Sequence, residues 1–372
     1  MNPPADFQPR SAAPLCRARS LVHLRHRRRD LDEALRFYRA FGLELAERTD
    51  AALFLRAAGG GPICLIVESG DHDAFTGLAV EVDGEATLRA LAAATRGTVE
   101  ERREPGGGLV LRLRDPVGLL VEVVNGVVGA PERQPPPPVP VNSFARPQRK
   151  NEPRPARLSP AWVQRLGHVV LGRQEFGRNA RWYMDTLGLI ASDVELHPDT
   201  GDPMVAFMRF DRGEQLADHH SIVVASAPED GYLHAAFESS DVESMGAGAE
   251  WLQHQGWVKS WGIGRHVLGS QLFCYHIDPR GFEVEHYVDG DLFDSSVATR
   301  YHEAGLPGLY LWGPTLPPHF VDTSLSASRI ARVVTGLRTR EEFTLRRQLD
   351  RLVDIYRDAL GSPAAAPKAA AR

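Results

Sequence analysis

The chain has 372 residues, enough for two domains at roughly 150 residues each, and 43% of its residues are hydrophobic. Its 43 Lys and Arg residues against 48 Asp and Glu residues give a formal net charge of −5, which argues against a general binder of nucleic acid or of an anionic membrane surface. We expect a soluble, reduced, cytoplasmic protein, because the sequence shows no membrane-length apolar stretch and no signal peptide, and its three cysteines are too scattered for disulfides or a thiolate zinc site.

The first ordered region is predicted to begin with a strand. Arginines are dense over residues 17–29, but apolar residues interrupt them and predict a strand whose charged flanks face solvent. An amphipathic helix with the aromatic pair Phe37-Tyr38 should follow, and residues 84–96 predict a second helix. The turn Asp115-Pro-Val-Gly118 then predicts a hairpin whose outgoing strand carries Glu122.

Residues 127–160 separate this region from a second one. Ten of these 34 residues are proline, which lacks the amide donor that helices and central strands need. We predict an extended, polyproline-like linker, in preference to a ligand for a proline-reading domain, because ordered segments stand on both sides. The chain is thereby divided into an N-terminal domain (1–126), the linker (127–160), a second domain (161–294) and a C-terminal extension (295–372).

The two domains have the pattern of duplicated copies. Leu21-Val-His-Leu24 opens the first and Leu166-Gly-His-Val169 opens the second, and the Asp-Pro turn at 115–118 returns as Asp278-Pro-Arg-Gly281 before Glu285. Each copy is therefore predicted to be a βαβββ module. Because one short curved sheet cannot bury both of its faces, we predict an α+β fold in which paired modules form curved, barrel-like mixed sheets.

The C-terminal extension combines three patterns. The aromatic and proline-rich segment 309–320 has three open interpretations: a cover over the opening of the second domain, a packing strap, or a subunit contact. Apolar residues at helical spacing predict an amphipathic helix over 341–360. The Ala- and Pro-rich residues 363–372 are expected to be disordered.

Histidines are concentrated in the second domain, where nine of the 14 lie between His168 and His286. Strand alternation places His168 on the opening strand, His234 on a middle strand and Glu285 on the last strand, so that all three can face one interior. Two imidazoles and one carboxylate suit Fe(II) and leave coordination positions open for other ligands. Glu283 has the same strand parity as Glu285 and is the alternative carboxylate ligand.

The first copy serves as an internal control. His23 and Glu122 stand at the equivalent ends of that copy, but the alignment puts Gly77 opposite His234, so that one of the three ligands is missing. His72 is a poor substitute, because it precedes the corresponding strand in an Asp/Gly turn. We therefore predict that the first domain binds no metal.

The segment Gly264–Glu285 resembles the signature of the type I extradiol ring-cleavage dioxygenases of the vicinal-oxygen-chelate superfamily. That signature has a histidine, a gap, an aliphatic residue before a tyrosine, an acidic-Pro-x-Gly turn and a glutamate. The sequence departs from it at Cys274, which precedes the tyrosine and can serve there as a small hydrophobic residue. The resemblance covers most of the chain and implies two vicinal-oxygen-chelate domains, of which the second is catalytic.

The resemblance also implies roles for individual residues. The implied ligands of Fe(II), or of Mn(II) in its place, are His168, His234 and Glu285. His220 matches the active-site acid/base histidine of the family, and its neighbour His219, predicted to lie on the opposite face, is a weaker candidate. His266 and Tyr275 match residues that hydrogen-bond the bound diol.

Extradiol cleavage is the activity that this resemblance implies. A catechol-type aromatic diol would be opened with both atoms of O₂, giving a 2-hydroxymuconate-type product in the catabolism of aromatic compounds. The expected partners are the diol and O₂, without nucleic acid or membrane, in a homo-oligomer. Neither the particular diol nor the ring bond that is cut follows from the sequence.

Three alternatives stay open at this point. A glyoxalase-like, metal-dependent isomerase shares the repeat, but such enzymes usually assemble their metal site from two modules. A 4-hydroxyphenylpyruvate-type dioxygenase uses the same ligand types, but its aromatic-rich C-terminal motif is not evident around Glu285. A small-molecule-binding protein of the same superfamily would not need His168, His220, His234 and Glu285 together.

Overall fold

The computed structural model describes residues 7–138, 140–153 and 158–317. Its first region contains β1 (Ala18–Arg28), α1 (Leu31–Phe41), β2 (Leu43–Arg48), β3 (Ala52–Ala57), β4 (Gly60–Ser69), β5 (Ala74–Val82), α2 (Glu85–Thr95), β6 (Val99–Glu101), β7 (Leu109–Arg114) and β8 (Leu120–Asn125). Its second region contains β9 (Val163–Arg173), α3 (Phe176–Leu187), β10 (Leu189–Leu196), β11 (Pro203–Phe210), β12 (Ala217–Asp218), β13 (Ile222–Ser226), β14 (Gly231–Ser239), α4 (Val242–His254), β15 (Val258–His266), β16 (Leu272–Ile277), β17 (Glu283–Val288), β18 (Leu292–Phe293), β19 (Arg300–Glu303), α5 (Leu306–Leu309) and β20 (Tyr310–Trp312).

Each region folds around one large sheet, and the strand order repeats. The first sheet has the order β2-β3-β4-β1-β5-β8-β7-β6, and the second has the order β19-β10-β11-β13-β9-β14-β17-β16-β15-β20. Without its two edge strands, β19 and β20, the second sheet has the order of the first. In both sheets the opening strand pairs in parallel on one side and antiparallel on the other. The predicted α+β fold of duplicated βαβββ modules with mixed sheets is confirmed.

Local signals in the sequence set the ends of α1. The Asp30 side chain accepts a hydrogen bond of 2.9 Å from the backbone N–H of Glu33, which satisfies one of the free donors at the helix start. Gly42 ends the helix with φ of 116°, a left-handed conformation that glycine adopts without strain. A Cβ atom at Gly42 would lie 2.2 Å from the carbonyl oxygen of Ala161, so this helix end also packs against the chain that enters the second region.

Two reciprocal buried ion pairs join the two regions. Arg28 of the first region lies 2.7 Å from Asp278 of the second, and Arg173 of the second lies 2.9 Å from Asp115 of the first. A buried tyrosine hydroxyl also donates to each carboxylate, and these tyrosines are Tyr38 and Tyr183. The two aspartates are those of the repeated Asp-Pro turns. The motif therefore forms a turn and also links one copy to the other.

The arginines of the opening strand differ from the prediction. Arg25 and Arg28 on β1 are 6% and 1% exposed, whereas charged flanks in solvent were expected. Arg25 bonds Glu122, Glu68 and Glu104, and Arg28 bonds Asp278. The predicted strand is present, and Arg17 and Arg29 on either side of it are exposed. The prediction was wrong for Arg25 and Arg28, because their carboxylate partners come from distant parts of the chain and allow the guanidinium groups to be buried in pairs.

The segments outside the two regions are partly described. In the described residues of 127–160 there is no helix and no named strand, and the domain boundaries stay a prediction. After residue 294, β19 pairs with β10 and β20 pairs with β15, so this part of the extension widens the second sheet. The helix predicted over 341–360 and the tail lie outside the described residues. Within the described ranges, no helix has the length and apolar character that a membrane span requires.

Candidate metal centre

Three strands of the second sheet bring two histidines and a glutamate together. His168 lies on β9, His234 on β14 and Glu285 on β17, and their donor atoms all lie within 4.8 Å of one another. The ladder of paired residues explains this convergence, because Ala236 pairs with His168 on one side and with Glu285 on the other. The strand alternation in the sequence assigned the three residues to these strands and to a common interior.

The donors of this group have the properties that a divalent metal requires. Nε2 of His168 lies 3.3 Å and Nε2 of His234 lies 3.4 Å from Oε2 of Glu285, but neither contact is a hydrogen bond, and both carboxylate oxygens of the fully buried Glu285 have no hydrogen-bond partner. Burial alone raises the pKa of Glu285, but the two imidazoles outweigh this and hold it well below its usual range. A buried, ionised and unbonded carboxylate beside two imidazoles fits a cation.

His220 lies against this group. It follows β12, is 5% exposed, and its ring centroid is 4.2 Å from that of His168. Burial, followed by repulsion from the neighbouring histidines, lowers the pKa of His220 well below its usual range, so the ring is neutral near pH 7. Its Nδ1 lies 2.8 Å from Nδ1 of His219, although alternation had placed these two side chains on opposite faces.

His266 and Tyr275 form a second pair at the site. Nδ1 of His266 donates to the carbonyl oxygen of Leu309 at 2.7 Å, and Nε2 of His266 lies 3.0 Å from the Tyr275 hydroxyl. Because the carbonyl can only accept, the neutral ring has its lone pair on Nε2 and accepts the tyrosine proton. The Tyr275 ring lies 5.1 Å from that of His234, and burial raises the pKa of Tyr275 well above its usual range. The tyrosine is thus a protonated donor at the edge of the group.

The segment after β19 packs behind this pair. Trp261 Nε1 donates to the carbonyl oxygen of Pro314 at 2.8 Å, and Leu316 is buried against Trp261 and Tyr275. Together with the bond between His266 and Leu309, these contacts make the described part of 309–320 a packing strap beside the site. Residues 318–320 lie outside the described residues.

The alternative carboxylate, Glu283, has a different environment. Its Oε1 accepts a hydrogen bond of 2.7 Å from Ser260, and it does not join the group of three donors. Burial, with additional repulsion from Asp278 and Glu285, raises the pKa of Glu283 to about 7. Cys274, the departure from the family signature, is fully buried in a small apolar cluster, as expected for a hydrophobic residue at that position.

In the first region, an arginine bonds the carboxylate that corresponds to Glu285. His23 pairs with Ala79 as His168 pairs with Ala236, so Gly77 occupies the place of His234. Nε2 of His23 lies 3.0 Å and Nε of Arg25 lies 2.7 Å from Oε2 of Glu122. The guanidinium therefore balances the charge of this carboxylate. His72, 54% exposed in its side chain, bonds outside this group.

Several residues of the site escaped the sequence analysis. The buried Asp193 bonds His219 as well as Arg300 and His302, whose side chains are partly exposed, and the main chain at Leu309 fixes the ring of His266. One signal was present, since Asp193 and Glu195 are acidic residues in a strand with mostly apolar residues. Arg300 and His302 come from β19, more than a hundred residues away, and could not be assigned from sequence pattern.

Comparison with known proteins gives consistent matches. The family model described as the Glyoxalase/Bleomycin resistance protein/Dioxygenase superfamily matches residues 20–123 and 165–286. The chain is 33% identical over 324 residues to Metapyrocatechase 2 of Cupriavidus necator, an alignment that covers 85% of this chain and 97% of that protein.

Solved structures share the fold at lower identity. A Mn(II)-bound glyoxalase from Novosphingobium aromaticivorans matches with a TM-score of 0.68 and 22% identity, over 83% of this chain and 96% of that one. An extradiol ring-cleaving dioxygenase from B. fuscum matches with a TM-score of 0.68 and 18% identity, over 86% of this chain and 87% of that one.

Proposed function

We propose a reaction for this chain from the premise that it belongs to the Glyoxalase/Bleomycin resistance protein/Dioxygenase superfamily and, within it, to the type I extradiol dioxygenases. The chain opens the aromatic ring of a catechol-type diol with O₂ at one Fe(II) ion, or Mn(II) in its place. Both oxygen atoms enter a 2-hydroxymuconate-type product, so the reaction C₆H₆O₂ + O₂ → C₆H₆O₄ needs no other reductant.

A single observation carries this proposal. His168, His234 and Glu285 converge within one region, with both carboxylate oxygens buried and without a hydrogen-bond partner. A binding protein has no need of such a carboxylate, and a glyoxalase-like isomerase usually draws its ligands from two modules. The relative with 33% identity, a metapyrocatechase, supports a catechol-type substrate.

His168, His234 and Glu285 would hold the metal. When bound, Fe(II) supplies open positions for a chelating diol and for O₂, together with the electron transfer that activates oxygen. The other steps belong to residues of the chain. His220, neutral and beside His168, accepts a proton from the diol and returns it when the ring opens.

Tyr275 and His266 orient the diol. The protonated Tyr275 is the donor of this pair, and the bonds from Leu309 to His266 and from His266 to Tyr275 keep its hydroxyl in place. His266 accepts the single hydroxyl hydrogen of Tyr275 in the structure, so Tyr275 would turn this hydrogen to a substrate oxygen to stabilise the negative charge that develops there. The surrounding aromatic rings of Trp261 and Phe273 limit access of water to this edge.

Oxygen uptake tests the proposed reaction. The full chain is reconstituted anaerobically with Fe(II) and mixed with single-ring, biaryl and fused-ring catechols, while O₂ and the absorbance of the product are followed. We expect one O₂ consumed per diol and a yellow ring-opened product. The matched pair of variants is His234→Ala, which should show neither, and His254→Ala, an exposed histidine of the same region that should behave as wild type.

The contradicting result is equally specific. A protein that retains one iron per chain but consumes no O₂ with any of these diols would contradict the dioxygenase reaction. Uptake that persists undiminished in His234→Ala would contradict the assignment of the site.

A further inference from the structure

A chain of buried hydrogen bonds leads from Asp193 on β10 to the histidine beside the metal donors. Oδ2 of Asp193 lies 2.5 Å from Nε2 of His219, and Nδ1 of His219 lies 2.8 Å from Nδ1 of His220. Asp193 and His219 are fully buried, and His220 is 5% exposed. Since the ring of His220 lies against His168, this chain ends at the candidate metal centre.

The first member of the chain is an ionised carboxylate. Arg300 reaches Asp193 through Nε at 2.8 Å and Nη2 at 2.7 Å, and His302 Nε2 lies 2.8 Å from its Oδ1. Burial by itself raises the pKa of Asp193, but its hydrogen bonds to His219, Arg300 and His302 outweigh burial and hold the pKa well below its usual range. An ionised carboxylate can only accept hydrogen bonds.

The direction of each hydrogen bond follows from this charge. Because Asp193 only accepts, Nε2 of His219 must carry a hydrogen. When this is the only hydrogen on the ring nitrogens, the lone pair of His219 is on Nδ1. The contact between the two Nδ1 atoms needs one hydrogen, which must therefore be on Nδ1 of His220. In a neutral His220 the lone pair is then on Nε2.

We propose that Asp193 and His219 are positioning residues that hold His220 in the Nδ1–H tautomer, with its Nε2 lone pair available to take a proton from the substrate. The inference rests on the proposed function for the identity of that substrate. The tautomer itself depends on the buried hydrogen bonds and on a single ring hydrogen on His219, and it is set before any substrate or metal binds.

The packing around the rings of His219 and His220 restricts their orientation. Phe207 lies 5.4 Å from the ring of His220, and Phe293 lies 5.4 Å from the ring of His219. Gly269 approaches from the other side, where a Cβ atom would lie 2.9 Å from Nδ1 of His219. Close apolar and backbone contacts of this kind leave the rings little room to turn away from each other.

The first region shows that this chain of bonds is not a requirement of the fold. Its β2 has a register shift where β10 has one, which makes Glu47 the equivalent of Asp193, and Glu47 is exposed. The pairing of Leu65 with Leu24 and of Ile222 with Val169 makes Pro62 and Ile63 the equivalents of the two histidines. The first region thus has an exposed glutamate and no histidine at the compared positions, and the buried chain of bonds accompanies the metal donors, which favours a role in the chemistry.

Nitrogen NMR of the metal-free full chain tests the tautomer without relying on activity. Protein labelled with ¹⁵N-histidine is compared as wild type, Asp193→Asn, His219→Leu and His219→Asn, with the His220 signals assigned by their loss in His220→Asn. We expect Nδ1–H in wild type and loss of the single tautomer in Asp193→Asn and His219→Leu. His219→Asn should restore it, because its side-chain oxygen can accept at the position of Nδ1.

Kinetics and a matched control complete the experiment. In the Fe(II)-loaded chain, Asp193→Asn should lower kcat by about 10²-fold with little change in KM, as for loss of a well-oriented acid/base group. Asp211→Asn changes a buried aspartate that directly follows β11 and bonds Arg17 and Ser295, and it should change neither the tautomer nor kcat.

The outcomes separate this inference from the proposed function. An Nε2–H tautomer of His220 in wild type, or the same tautomer in wild type, Asp193→Asn and His219→Leu, would overturn the positioning role whatever the activity. If Asp193→Asn fails to fold, the comparison of His219→Leu with His219→Asn decides by the same signals. The expected tautomers in a chain without oxygen uptake would support the positioning role and count against the dioxygenase alone.

Discussion

The two regions of the molecule share one strand order but differ in the surroundings of a buried carboxylate. In the second region His168, His234 and Glu285 converge and leave a buried carboxylate without a hydrogen-bond partner. In the first region the equivalent carboxylate, Glu122, is satisfied by His23 and Arg25. The same fold can thus keep a charged group open for a ligand or close it with an internal cation.

A few substitutions account for the difference. Arg25 stands two residues after His23, where the second region has Val170 after His168, and Arg112 stands where the second region has Tyr275. Both arginines bond Glu122. The first region still has a cavity of about 340 Å³ at this place, but charged side chains line it. Ion pairs in the first region thus take the place of the open group of two histidines and a glutamate in the second.

The largest expected effect comes from a substitution in the group of three donors of the second region. Glu285→Gln removes the charge of the proposed ligand but keeps the size of the side chain, so the fold should be retained while kcat/KM for the diol falls by at least about 10³-fold. Oxygen uptake and far-UV circular dichroism measure the two quantities. Retained activity in a variant that still binds iron would show that the carboxylate is not a ligand.

The equivalent substitution in the first region should lower the free energy of unfolding. Glu122→Gln leaves Arg25 and Arg112 without one of their carboxylate partners, and the broken buried pair should cost about 3 kcal/mol of unfolding free energy. Denaturant unfolding measures this loss, and the activity of the folded fraction should be unchanged. A loss of activity without a loss of stability would place Glu122 in the chemistry instead.

A histidine placed at Gly77, the position that corresponds to His234, tests more sharply whether the ion pairs of the first region exclude a metal. A side chain at Gly77 meets the carbonyl oxygen of Leu120, 2.8 Å from a Cβ atom, so Gly77→His should cost about 2 kcal/mol of unfolding free energy. It should bind no second metal, because Arg25 still neutralises Glu122. Metal analysis of the purified variant tests this, with Ala86→His at an exposed position of α2 as the matched change. A second metal bound to Gly77→His would contradict the closure of the first region.

The pH dependence of stability gives the smallest effect. Burial raises the pKa of Glu122, but hydrogen bonds to His23 and Arg25 lower it well below its ordinary value of 4.5. A carboxylate with a lowered pKa in the folded state stabilises above its unfolded pKa and loses this as pH falls. The difference in unfolding free energy between wild type and Glu122→Gln should therefore narrow by about 1 kcal/mol from pH 6 to pH 4. A constant difference across this range would mean that the carboxylate charge does not contribute.

Regular strands made much of this molecule predictable. The repeated Asp-Pro turns and alternating residues were enough to predict the duplicated fold, and they placed His168, His234 and Glu285 on neighbouring strands. They also aligned Gly77 with His234, and the strand pairing in the structure gives the same equivalence. In a paired strand the side-chain direction follows from position alone, so a local pattern carries this information.

Irregular backbone and distant partners explain what was missed. His219 and His220 lie between β12 and β13, where alternation does not apply, so their side chains meet although opposite faces were expected. Arg25 was expected in solvent because its partner Glu122 lies 97 residues away. The acidic signal of Asp193 could not be matched with a partner, because Arg300 lies 107 residues further along the chain. Such contacts depend on tertiary packing, which a local pattern does not contain.

The most direct test of the division between the two halves is the iron content of three matched proteins. Wild type, Glu285→Gln and Glu122→Gln are loaded with Fe(II) anaerobically, freed of excess metal and analysed for bound iron per chain. We predict one iron per chain in wild type, none in Glu285→Gln and one in Glu122→Gln. Two irons in wild type, or one that survives in Glu285→Gln and is lost in Glu122→Gln, would contradict the assignment of the metal site to the second half alone.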